Sequence, residues 1–186
     1  MTGCILSWDL KNDIDPKIFA QSVDSVAGSA VYSTLAAFEG VEVKLLWRGG
    51  EFIKFKEKIK DGNLKNIMVE NKIHTDMNFQ YAQVHCTIIP YLQLDERLKV
   101  MPTSAIESLA AGKPVLVSSQ TGIAKIVQRE KCGVVFEPTQ EGLLKAIKEI
   151  KRNYHFYQRN CRRTAENYFS QEHFLKKHEE IYDSLL

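Results

Sequence analysis

Residues 100–123 read VMPTSAIESLAAGKPVLVSSQTGI, a run of small and apolar residues that holds one acid, Glu107. The spacing predicts a helix that opens at Ser104 and ends at Gly112, after which Pro114 leads into the β-rich run PVLVSS. Just upstream, VHCTIIPY (residues 84–91) reads as another strand. Strand, helix and strand in that order form the crossover unit of a parallel sheet.

The same alternation extends in both directions. CILSW, VEVKLLW, NIMVE and GVVFE complete a set of candidate strands, with helices predicted to open near Pro16, Glu51, Thr75, Ser104 and Thr121. After Pro138, TQEGLLKAIKEIKR places Leu143, Leu144, Ile147 and Ile150 at helical spacing behind Thr139, a plausible N-cap. The sequence therefore predicts an α/β fold: a doubly wound, Rossmann-like parallel sheet of about six strands with helices on both faces and further helices at the C-terminus. In such sheets ligands bind beyond the carboxyl ends of the strands. The helix carrying Glu107 starts at one of these ends.

Two explanations of Glu107 stand side by side. With Ser104 three residues before it, the pair fits a capping box, in which each side chain satisfies a first-turn N–H. Alternatively, Ile106, Leu109 and Ala110 form the buried stripe, and Ser104, Glu107, Ser108 and Ala111 form a small-residue face open to a ligand. A carboxylate there can accept hydrogen bonds from neighbouring hydroxyls, and a helix N-terminus favours phosphate.

Composition narrows the class. A chain of 186 residues that is 44% hydrophobic and 26% charged can bury one core, so residues 1–186 are expected to form a single domain. No apolar run approaches a membrane span and no signal-type segment opens the chain, which points to the cytoplasm. Cys4, Cys86, Cys132 and Cys161 are scattered without zinc-ligand spacing, so neither a metal nor a disulfide framework is expected. A net charge of +2 argues against nucleic acid. Between Lys145 and Arg163, however, basic residues outnumber the single acid Glu149 and alternate with Tyr154, Phe156 and Tyr157. That segment is either a solvated helix face or a contact for an anionic membrane surface, on the inner face of the membrane.

The segment MPTSAIESLAAGKPVLVSSQTGIAKIV resembles the donor-site segment of family-four glycosyltransferases. Upstream, YAQVHCTIIP and VEVKLLWRGGEF are similar to the family's corresponding helix-to-strand and strand-to-loop pieces. Downstream, CGVVFEPTQEGLLKAI and YFSQEHFLKKHEEIYDSLL resemble its closing strand and terminal helix. The resemblance covers roughly residues 41–186 and is strongest over 81–138. It implies the C-terminal, donor-binding half of a GT-B enzyme, a retaining transferase that takes a hexose from a nucleoside-diphosphate sugar to a lipid-linked or polysaccharide acceptor, without a metal or other cofactor.

On that resemblance Glu107 holds the ribose hydroxyls, Thr103 and Ser104 approach the diphosphate through their backbone, and Gly122 belongs to the adjoining turn. The loop Asn71–His74 borders the base. Lys99 stands eight positions before Glu107, where many members carry a second glutamate. Lys11, in SWDLKND, is the candidate for the diphosphate-pairing lysine, and Lys125 replaces the glutamate of the family's EIV. No residue is assigned a catalytic role, because His74, His85, His155, His173 and His178 are dispersed and the N-terminal acceptor domain is absent from these residues. The chain is thus a fragment of an enzyme, or a short protein that borrows a partner domain. The alternative is a non-catalytic, degenerate module that binds a partner protein or a membrane surface. The terminal helix bears Phe174, Leu175, His178, Ile181, Tyr182 and Leu185 at helical spacing. It either packs on its own domain or crosses to the missing one.

Overall fold

The computed structural model describes residues 3–7, 41–46, 52–61, 65–90 and 101–185. The strands are β1 (Gly3–Ser7), β2 (Glu42–Leu46), β3 (Ile67–Glu70), β4 (Cys86–Ile89), β5 (Val115–Ser118) and β6 (Gly133–Phe136). The helices are α1 (Phe52–Asp61), α2 (Met77–Ala82), α3 (Thr103–Ala110), α4 (Ala124–Glu130), α5 (Gln140–Arg152), α6 (Tyr154–Phe169) and α7 (Gln171–Asp183). All the strands expected from the sequence are present, in one six-stranded sheet of order β3-β2-β1-β4-β5-β6. The helix expected near Pro16 lies outside the described residues.

One strand departs from the expected direction. The pairs β2–β3, β4–β5 and β5–β6 are parallel, but β1 runs antiparallel to both β2 and β4, with Leu6 opposite Val43 and Cys86. Strand–helix alternation predicts parallel neighbours only where a single crossover separates them. Residues 8–40 are far more than one crossover helix requires, so the pattern does not fix the direction of β1.

Strands β4 and β5 are buried on both faces, as their unbroken apolar runs predict. On one side Val43, Leu45, Ile88 and Leu116 pack with Leu143, Ala146, Ile147 and Ile150 of α5. On the other, Ile89, Val115 and Val117 pack with Ala105 and Leu109 of α3, Ala124 and Val127 of α4, and Cys161 and Ala165 of α6. Thr139 caps α5, its hydroxyl accepting from Gly142 N at 3.0 Å. Gly112 takes φ +72° after α3, with Lys113 N donating to Ser108 O at 2.8 Å, a glycine stop that frees the chain for β5.

Helix α6 lies along the N-terminal ends of β4 to β6. Tyr154 meets His85, just before β4, with ring centroids 5.5 Å apart. Asn160 Nδ2 donates to Lys131 O at 3.0 Å and Cys161 Sγ to Cys132 O at 3.5 Å, both just before β6. The opposite edge, at the carboxyl ends of β4 and β5, is where α3 and the Gly122 turn begin. Helix α7 buries none of its residues. No described helix is long and apolar enough to cross a membrane.

Candidate functional site

Helix α3 starts at Thr103, with Pro102 at its N-cap and no side chain capping it. Ser104 and Glu107 therefore both lie inside the helix, and the capping box is not formed. Proline's fixed φ favours the helix entry, which moves the start one residue ahead of Ser104. The N–H groups of Thr103 and Ser104 precede the first intrahelical bonds, which run from Ala105 N and Ile106 N to Pro102 O at 3.0 and 3.4 Å.

The buried residues of α3 are Ala105, Ser108 and Leu109, while Ala110 is exposed and Ile106 half-buried. The expected stripe of Ile106, Leu109 and Ala110 is thus corrected by one position. Hydropathy favours the larger isoleucine, whereas close packing against the sheet and α6 favours the small residues. Ser108 leaves the predicted open face, since its hydroxyl donates to Lys113 O at 3.1 Å inside the fold. Thr103 and Glu107 are exposed and Ser104 is half-buried.

Glu107 has a partner that local sequence spacing does not reveal. Tyr81, at the end of α2 and only 3% exposed, donates its phenolic hydrogen toward Glu107 Oε2 at 2.9 Å, with Ser104 O also within 3.3 Å. Burial, reinforced by the Glu107 charge and hydrogen bond, pushes the Tyr81 hydroxyl well above its ordinary range. It remains a donor at any physiological pH.

Gly122 sits exposed in the turn after β5, at the same sheet edge as the start of α3. Ser118 and Thr121 shape that turn: Ser118 Oγ accepts from Gln120 N at 3.1 Å, and Thr121 Oγ1 donates to Ser118 O at 2.8 Å. Lys99 and Lys11 lie outside the described residues. Strand β1, which leads toward Lys11, ends at the edge away from α3, because Leu6 pairs with the first residue of β4. Lys125 is exposed on α4.

At the carboxyl end of β3 a charged group, also unforeseen in the sequence, precedes and includes part of the 71–74 loop. Glu70 lies 3.4 Å from Lys44 Nζ, 3.4 Å from Lys72 Nζ and 3.0 Å from His74 Nε2. Burial alone would raise the Glu70 pKa, but Lys44 and Lys72 outweigh it and hold the carboxyl below its usual range. Lys44 also donates to Gln80 Oε1 at 2.7 Å, which ties α2 to β2. Among the described residues no cluster of His, Cys, Asp or Glu is placed to hold a metal ion.

The sequence profile of the family described as glycosyl transferases group 1 matches residues 30–168, about three quarters of the chain. The chain belongs to the group 1 glycosyl transferases. The fold agrees: sucrose-phosphate synthase from Thermosynechococcus elongatus superposes with a TM-score of 0.56 over 74% of this chain at 21% identity. This group 1 glycosyl transferase chain covers 35% of that protein, about a third of its length. No curated protein matches it. The profile includes α2, α3 and the Gly122 turn, so Tyr81, Glu107 and Gly122 all fall within the family segment.

Proposed function

We propose that residues 1–186 form one donor-binding domain of a retaining, GT-B glycosyltransferase that moves a hexose from a nucleoside-diphosphate sugar to a lipid-linked or polysaccharide acceptor, in the cytoplasm. The acceptor domain comes from another segment or another chain. The observation that carries this reading is Glu107: exposed at the carboxyl edge of the sheet, held by Tyr81, and not used to cap its own helix. A carboxylate placed this way can accept from the two ribose hydroxyls. The N–H groups of Thr103 and Ser104, which have no acceptor among the described residues, and the α3 dipole face the diphosphate, Lys99 adds a cation, and the Gly122 turn closes beside them.

The catalytic contribution of these residues is electrostatic and positional. As the bond from the anomeric carbon to the β-phosphate oxygen breaks, negative charge grows on the leaving diphosphate, and fixed donors at the helix start stabilise it. Glu107 anchors the nucleoside so that the sugar is presented in a constant place. The α7 stripe supports a second domain: Phe174, Leu175, Ile181 and Tyr182, with Leu185 just past the helix, are each at least half exposed.

The test is thermal stabilisation by UDP, GDP, ADP and their sugars, with and without Glu107→Ala. A ligand at 100 times its Kd stabilises by about 2.7 kcal/mol. Loss of a charge-assisted pair should weaken the preferred nucleotide about 10- to 100-fold. Unchanged affinity in the folded variant would remove Glu107 from the site.

A second reading, a non-catalytic module on a membrane, draws on α6. Its outward face carries Arg159, Arg162 and Arg163, next to Lys151 and Arg152, with Phe156 46% exposed. Arg162 pairs with Glu166 at 3.2 Å, which leaves the face cationic overall. Co-sedimentation with phosphatidylglycerol vesicles but not phosphatidylcholine, abolished by Arg159→Glu with Arg163→Glu, would support it.

A further inference from the structure

We infer that Tyr81 is a positioning residue that sets how tightly the ribose is held, by fixing one oxygen of Glu107 before the nucleotide arrives. The inference rests on the ribose-binding reading of Glu107. A phenolic hydroxyl has one hydrogen, and the carboxylate at 2.9 Å is a nearer and more strongly charged acceptor than Ser104 O at 3.3 Å. Oε2 is thereby tied, while Oε1 has no partner among the described residues and Glu107 is exposed.

A free surface glutamate samples several rotamers, and binding must select one of them. Tethering one oxygen of this exposed carboxylate leaves the other available, so less ordering remains at the moment of binding. The tether itself is firmly mounted. Tyr81 is buried, and its helix is held at one end by Asp76, which accepts from Phe79 N at 3.1 Å. It is held at its side by the 2.7 Å bond from Lys44 to Gln80. The anchor thus spans 26 residues of sequence and joins α2, which is fixed to β2, to α3, which starts at the binding edge.

The experiment compares the full chain with its Tyr81→Phe variant, which keeps the ring and removes only the hydroxyl. UDP, GDP and ADP are titrated alongside their 2′,3′-dideoxy forms. Tyr81→Phe should weaken the preferred ribonucleotide about 2- to 12-fold, the effect of one side chain losing its preset rotamer. Affinity for the dideoxy form should hardly move, and adding Tyr81→Phe to Glu107→Ala should weaken binding no further. Ser108→Ala, which disturbs the buried side of the same helix without touching Glu107, serves as the control for general loosening.

If Tyr81→Phe keeps the full preference for ribose while Glu107→Ala loses it, the positioning role is wrong and the ribose reading stands. An equal loss in Ser108→Ala and Tyr81→Phe would also overturn the positioning role. If Glu107→Ala keeps the wild-type ribose preference, or no nucleotide binds, the ribose reading itself fails.

Discussion

Gly133 of β6 faces Val115 of β5 so closely that a methyl group on its Cα would run into the Val115 carbonyl oxygen and stand 2.9 Å from Val115 C and N. Both residues are buried and both belong to the ladder, so neither backbone can yield without breaking pairing. Gly133→Ala should therefore destabilise the domain by about 3 kcal/mol or more. Urea denaturation of the purified variant reads this directly, and a loss under about 1 kcal/mol would contradict the close approach.

Thr139 gives a smaller and more specific effect. Its hydroxyl is the side-chain cap of α5, the helix that covers one face of the sheet. Thr139→Ala should cost about 1 kcal/mol, and Thr139→Ser should recover most of it, since only the hydroxyl is required. Equal losses in the two variants would assign the effect to the methyl group instead.

Two isoleucines separate the core from the terminal helix. Ile147 is fully buried, whereas Ile181 is 55% exposed. Ile147→Ala should cost roughly 2–5 kcal/mol, and Ile181→Ser should stay within about 0.5 kcal/mol. A large loss at Ile181 would mean that α7 packs against the chain in a way these contacts do not include.

Acid should weaken the contact between α4 and α6. Tyr168 donates to Glu130 Oε1 at 2.7 Å and Arg129 Nε lies 3.0 Å from the same oxygen. The Tyr168 hydrogen bond is the main cause that holds the Glu130 carboxyl below its ordinary value of 4.5. Because the folded value is the lower one, the stabilisation is complete above pH 4.5 and is lost as pH falls through the folded value. Melting temperatures measured from neutral pH to about pH 3 should fall less steeply in Glu130→Gln than in the parent chain. Identical slopes would show that Glu130 is not linked to folding.

Much of this architecture is legible in the sequence because it rests on short-range periodicity. Strands with unbroken apolar runs, the Thr139 cap and the Gly112 stop are written in neighbouring residues. The direction of β1 is not, since it depends on where residues 8–40 carry the chain. Nor is the rotation of α3, where close packing of Ala105 and Ser108 prevails over the hydropathy of Ile106. The segment around Glu107 stands out because a lone acid breaks a small-residue run. Its partner Tyr81 and the Lys44–Glu70–His74 group are assembled only by the fold, with Tyr81 and Glu107, and likewise Lys44 and Glu70, 26 residues apart.

Helix α6 also governs the order in which the molecule can be completed during synthesis. Residues Cys161, Thr164 and Ala165 seal α3 and the start of β6, yet they leave the ribosome after every strand they protect. A nascent chain released only as far as Arg152 would show Ala105, Leu109 and Cys132 to water, a sticky surface that chaperones recognise. Helix α6 thus behaves as a closure, and a ribosome stalled just before it would yield an aggregation-prone polypeptide rather than a smaller working domain.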